Sequence, residues 1–88
     1  SPQPRDIQLL VEIADSTLTF DLTVKAALYA RAGIVEYWVL DVAGRRLVCH
    51  RNPVAGMYTS VVVYNEHEPV APLAAPEASF CAAQVLPA

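Results

Sequence analysis

The sequence predicts an α/β chain: a mixed β-sheet with a βαβ unit, followed by an antiparallel meander. Three observations carry this. Apolar residues alternate through "DIQLLVEI" (6–13) and "EYWVLD" (36–41), the period of strands. Between them the pattern changes to helical spacing, with Leu22, Ala26 and Tyr29 on one stripe and Gly33 just beyond. After Asp41 come two runs rich in β-branched and aromatic residues, each preceded by a glycine-containing turn.

Each element has a local reason. In residues 6–13, Ile7, Leu9, Val11 and Ile13 share one face, and Gln8, Leu10 and Glu12 share the other. Large apolar groups on both faces suit an interior strand covered on each side. Asp15, Ser16 and Thr17 then offer oxygens to the free amides of a helix start. The helix is expected over 19–32, with Asp21 in its first turn and Arg31 in its last, as the macrodipole favours. Gly33 ends it, where a left-handed residue is cheapest. Strand, helix and strand with short joints make the two strands parallel through a right-handed crossover. "VAG" (42–44) turns the chain into "RRLVCHR" (45–51), and "NPVAG" (52–56) turns it into "MYTSVVVY" (57–64). The part after Asn65 holds four of the seven prolines and reads as turns with brief extended pieces. The expected core comprises Trp38 or Tyr37, Leu9, Val11, and Leu28 or Tyr29.

Bulk properties narrow the class. With 88 residues, 55% of them hydrophobic and 17% charged, the chain is one small globular domain, not a disordered segment. No apolar run approaches the roughly 18–20 residues that cross a bilayer, so the chain reads as soluble. No basic-then-apolar leader is present, so secretion has no support. Cys49 and Cys81 lack metal spacing; they admit a disulfide but read first as two free, partly buried thiols in a reducing cytoplasm. A net charge of −3 argues against a whole-surface nucleic-acid binder, while Arg45, Arg46 and Arg51 leave room for a local basic face. His50 and His67 have no third ligand for zinc. Ser16 and Ser60 have no histidine partner for a hydrolase triad. The three glycines stand apart, so no phosphate loop is present. Asp41 reads as a turn initiator, and Tyr37 and Trp38 as packing residues.

Two residues carry the chemistry. A carboxylate at the centre of an apolar strand costs several kcal/mol to desolvate unless it is paired or bound to a metal. Glu12 is therefore either bonded to an amide or arginine, or part of a site. Lys25 is either an i,i+4 partner of Asp21 or an ammonium that reaches Glu12.

The stretch "LLVEIADST…D…K…LYARAGIVEYWVLD" resembles the Uma-type restriction endonucleases, a branch of the PD-(D/E)XK nuclease superfamily. The matching elements are "VEIADST", Asp21 with Lys25, "LYARAG" and "EYWVLD", with looser similarity in "NPVAGMYTS", "VAPLAAP" and "QVLP". The resemblance implies a bacterial, cytoplasmic, magnesium- or manganese-dependent nuclease with DNA as substrate and the C-terminal part of a restriction-endonuclease-like fold. Carried over by position, Glu12 is the second acidic metal ligand. Lys25 is the catalytic lysine, moved onto the helix because Ile13 and Ala14 follow Glu12 and the usual E-x-K is absent. Asp21 and Gln8 are supporting candidates. The family's first acid, the aspartate of its P-D motif, belongs to a strand upstream of "SPQPRD", and Asp6 after Arg5 does not match it. Residues 1–88 thus read as the C-terminal portion of a longer endonuclease-like domain, with a homodimer admitted and no membrane partner. The reading from a different class is a non-catalytic α/β binding or assembly module that keeps the nuclease fold.

Overall fold

The computed structural model describes residues 1–88. A 3-10 turn at Pro4–Asp6 leads through a bend into β1 (Leu10–Ala14). One continuous helical rod follows: α1 (Leu18–Phe20), a π turn (Asp21–Lys25) and α2 (Ala26–Arg31). Next come β2 (Glu36–Asp41), β3 (Arg46–Val54) and β4 (Met57–Asn65), then the short β5 (Pro69–Val70) and β6 (Phe80–Cys81) and a 3-10 turn at Ala82–Gln84. The main sheet has the order β1-β2-β3-β4, with β1 parallel to β2 and the remaining pairs antiparallel. β5 and β6 form a separate antiparallel ladder. The βαβ unit and the meander are therefore as expected.

The first strand is shorter than its sequence pattern. Asp6 belongs to the 3-10 turn, where its carboxylate accepts the Gln3 amide at 2.9 Å, and pairing with β2 starts only at Leu10. β1 is an edge strand and not an interior one. Val11 and Ile13 face away from the helix and are 48% and 69% exposed. The strand that is covered on both sides is β2, all six of whose residues are buried.

The core lies in two halves, one on each face of β2. Under the helix, Tyr37, Val39, Val48 and Tyr58 pack against Ala14, Ala26 and Ala30, with Leu10, Leu22 and Tyr29 at the margin. Ala26 and Ala30 of the helix lack bulk, so the rod lies close to the sheet. On the far face, Trp38, Leu40, Leu47 and Cys49 are covered by Val70, Ala82 and Leu86 from the C-terminal third, with Leu9 and Phe80 beside them. The expected core was single, and it mixed members of these two layers. Val11 and Leu28 fall outside both, each being about half exposed.

Local chemistry accounts for the turns. Gly33 has φ +78°; its N–H donates to the Ala30 carbonyl at 3.0 Å, and the Ile34 N–H to the Tyr29 carbonyl at 3.0 Å. That pair of bonds is a Schellman stop. At the helix start, the expected capping is not made: Thr17 is the N-cap, and its side chain caps no amide. β3 also runs past Asn52 to Val54, so the expected five-residue turn contracts to Ala55 and Gly56, both at positive φ. Pro53 is tolerated there because β2 ends opposite Arg51, so no strand needs the missing N–H. Asp41 initiates the 42–44 turn by accepting the Gly44 amide at 2.9 Å, and a Cβ on Gly44 would collide with that carboxylate.

Candidate functional site

Strand alternation turns Leu10, Glu12 and Ala14 toward the helix, and the helix meets Glu12 with two successive turns. Lys25 Nζ donates to Glu12 Oε2 at 2.7 Å, and Tyr29 Oη donates to the same oxygen at 2.9 Å. Lys25 also lies 3.5 Å from Asp21 Oδ1. The alternatives left open for Lys25 are thus both realised: it is the i,i+4 partner of Asp21 and the partner of Glu12.

The π turn helps to align these groups. In an α-helix, each residue advances about 100°, so positions four apart drift by roughly 40° per step. Asp21, Lys25 and Tyr29 would fan out along such a rod. The wider turn over Asp21–Lys25 gives back part of the drift, and such widened turns occur frequently at functional sites.

Burial grades the three charges. The Lys25 and Glu12 side chains are 32% and 25% exposed, while that of Asp21 is 2% exposed. Asp21 Oδ2 accepts the Thr17 hydroxyl at 2.7 Å, and Oδ1 is a buried oxygen with no hydrogen bond, its charge met only by Lys25. The hydrogen bond to Glu12 raises the Lys25 pKa, with burial opposing it, so the ammonium stays charged throughout the physiological range. Burial, and then the Glu12 bond, raise that of Tyr29, which remains a neutral donor. Tyr37 packs edge-on against the Tyr29 ring, with centroids 4.9 Å apart and planes at 68°, and donates its own hydroxyl to the Asp21 carbonyl at 2.8 Å.

Of the candidates, Glu12, Lys25 and Asp21 come together. Gln8 does not: it lies exposed in the bend before β1 and makes no hydrogen bond to any of them. The sequence marked Tyr29 for packing and Thr17 for capping, not as members of the site, although Tyr29 follows Lys25 by one turn. A second acidic centre, Glu36, was also missed. Arg45, Arg46 and Arg51 do not form a basic face. Each is paired, with Glu66, Asp41 and Glu36 respectively, and Arg46 and Arg51 project from opposite faces of the sheet. His50 is buried, and its Nδ1–H donates to the Tyr37 carbonyl at 3.0 Å. An apolar groove of about 390 Å³ between the helix and β4, walled by Leu22, Ala26, Met57, Tyr58, Val61 and Val63, includes none of the Glu12 cluster.

A family model described as "Uma2: Putative restriction endonuclease" matches residues 1–84. The chain belongs to this family. No curated protein matches it. Membership in Uma2 makes the chain a nuclease by class, with DNA as the substrate which that description implies, and its mixed sheet with one helix is compatible with the restriction-endonuclease-like fold. No helix of this Uma2 chain is long and apolar enough to cross a membrane.

The donor set fits a hard divalent cation in part. Glu12 Oε1 accepts no hydrogen bond and is not buried, so it can serve as one oxygen ligand. Asp21 is enclosed and already engaged. No three His, Cys, Asp or Glu side chains gather at any point in the chain. Glu12 could supply one oxygen to such a site, which would need further ligands.

Proposed function

We propose that the protein is a metal-dependent DNA endonuclease that hydrolyses phosphodiesters, with Glu12 as an acidic ligand of Mg2+ or Mn2+ and Lys25 as the catalytic cation. The single observation that carries this reading is the ammonium of Lys25 seated 2.7 Å from a carboxylate that keeps a free oxygen. A divalent cation, when bound there, would activate water and screen the charge on the phosphate oxygens. Lys25 has three N–H donors, of which one serves Glu12 and a second faces Asp21. The third is available to a water or a phosphate oxygen, where it orients the nucleophile or stabilises developing charge. Asp21 keeps the lysine stem on the helix face, and Thr17 keeps Asp21 in place. Chemistry of this kind needs further oxygen ligands beyond Glu12. The two free cysteines accord with a cytoplasmic location.

One observation favours a second reading, a non-catalytic α/β module for binding or assembly: the chain gathers no three metal-ligating side chains. Plasmid nicking by the full-length protein with Mg2+ or Mn2+ separates the two. Lys25→Met is expected to lower turnover by roughly 10²-fold or more while cation binding largely survives, and Glu12→Gln to lower both. Undiminished nicking by both variants overturns the catalytic assignment, and a full-length protein that nicks with neither metal supports the module.

A further inference from the structure

We infer that Tyr29 is a positioning residue for the Glu12 carboxylate, fixing which of its two oxygens is offered to a cation. The inference rests on the nuclease reading above and deepens it. Tyr29 and Lys25 converge on one oxygen, Oε2, at 2.9 and 2.7 Å, and leave Oε1 without a hydrogen bond. The terminal torsion of a glutamate is broad and roughly two-fold, so a carboxylate held at one oxygen by a mobile partner swaps its oxygens readily. Two donors from successive helix turns remove that freedom.

The two donors are not equivalent. Lys25 reaches Glu12 on a flexible four-carbon stem, is about one-third exposed, and divides its charge between Glu12 and Asp21. Tyr29 is a rigid ring pressed edge-on against Tyr37, which is fully buried and tied by its own hydroxyl to the Asp21 carbonyl. Packing therefore places the Tyr29 hydroxyl, and no solvent-exposed stem is involved. While Lys25 shares its three N–H groups among Glu12, Asp21 and a phosphate oxygen, Tyr29 is the donor committed to Oε2 alone. Lys25 brings charge to the site, and Tyr29 aims the ligand. Partners that orient a metal-binding side chain commonly change metal affinity or activity by about 10–100-fold when lost.

The test uses the full-length protein and its Tyr29→Phe variant, which loses the hydroxyl and keeps the ring contact with Tyr37. Calorimetric titration with Mn2+ and steady-state plasmid nicking are the readouts, with Glu12→Gln and Lys25→Met as companions. For Tyr29→Phe, Mn2+ affinity and kcat should each fall by about 10-fold or more, with KM for DNA and the melting temperature little changed. Lys25→Met should retain most of its Mn2+ affinity, and adding Tyr29→Phe to it should remove that remainder. Wild-type Mn2+ affinity and kcat in Tyr29→Phe, beside losses in Glu12→Gln, would overturn the positioning role and leave the nuclease reading intact. A double variant that binds Mn2+ no worse than Lys25→Met alone would overturn it equally. Wild-type affinity and turnover in Glu12→Gln would remove the nuclease reading, and the inference with it.

Discussion

Replacing Glu36 with glutamine tests whether a single carboxylate ties the C-terminal third to the sheet. Glu36 is fully buried at the start of β2, on the face opposite the helix. Its Oε2 accepts the Trp38 indole N–H at 2.8 Å, the Arg51 Nε–H at 2.7 Å and, weakly, the Cys49 thiol at 3.6 Å. Oε1 accepts the backbone N–H of Leu73 at 2.8 Å. All four partners are donors, which suits a carboxylate and nothing else of that shape. Glutamine has one acceptor oxygen, so its NH2 must face a donor. The cheaper arrangement turns the NH2 toward Leu73 and leaves that new NH2, buried with the rest of residue 36, without an acceptor, at about 1–3 kcal/mol. Arg51 also loses its counter-charge. Breaking a buried pair costs about 3–5 kcal/mol, but Arg51 is one-quarter exposed and keeps its 2.7 Å bond to the Ala71 carbonyl, so only about 1–2 kcal/mol is expected from this source. The combined loss of about 2–5 kcal/mol is a large fraction of the roughly 5–15 kcal/mol that stabilises a typical domain. Urea unfolding followed by circular dichroism measures the loss, and amide exchange at Leu73 localises it. A variant within about 0.5 kcal/mol of wild type, an ordinary surface-substitution effect, with Leu73 still protected, would refute the tie.

Three further outcomes follow from the same structure. Burial lowers the His50 pKa, so the folded protein resists a proton that the unfolded chain accepts below about pH 6.5. The stability present above that pH should therefore fall on acidification, by up to about 1.4 kcal/mol per pH unit. His50→Gln, which can still donate to the Tyr37 carbonyl, should flatten that slope in urea titrations at pH 7.5 and 5.5. Ala55 holds φ +51° in the β3–β4 turn, so Ala55→Gly should stabilise by roughly 1 kcal/mol, whereas Gly56→Ala, with φ +78° and a new Cβ 3.0 Å from Arg31 Cγ, should destabilise; thermal melts of both variants decide. Burial pushes the Cys49 thiol up to about 11, while Cys81 is partly exposed, so a disulfide reagent at pH 8 should label Cys81 in the folded protein and Cys49 only after urea is added.

Periodicity made β2 and the βαβ order legible, because a strand buried on both faces and a helix that ends in a Schellman glycine leave strong local marks. β1 misled for a physical reason: Val11 and Ile13 look like buried residues, yet here they face outward from an edge strand. The two-layer core was not legible either. Strand parity separates Tyr37 from Trp38, but nothing local says that Val70, Ala82 and Leu86 return to cover the Trp38 side. That depends on contacts distant in sequence, and the carboxylate of Glu36 fixes one of them. The D-x-x-x-K spacing placed Asp21 and Lys25 on one helix face, but the π turn that brings Tyr29 into line with them has no signature in residue type.

Glu12 and Glu36 show why sequence marked one acid as chemical and passed over the other. Each sits among apolar neighbours in a strand, and each is met by a basic side chain at 2.7 Å. Glu36 spends both oxygens on four donors and has no exposure, so it can stabilise a fold but cannot receive a ligand. Glu12 spends one oxygen on two donors, keeps the other free, and stays one-quarter exposed. An oxygen that opens to solvent exchanges its water readily for another partner, whereas one enclosed by four protein donors does not. The accessible oxygen of Glu12 is therefore what leaves it able to accept a ligand under the proposed function, an ability Glu36 lacks. Tyr29→Phe and Glu36→Gln should accordingly act in opposite ways, the first on metal affinity with little change in melting temperature, the second on melting temperature before anything else.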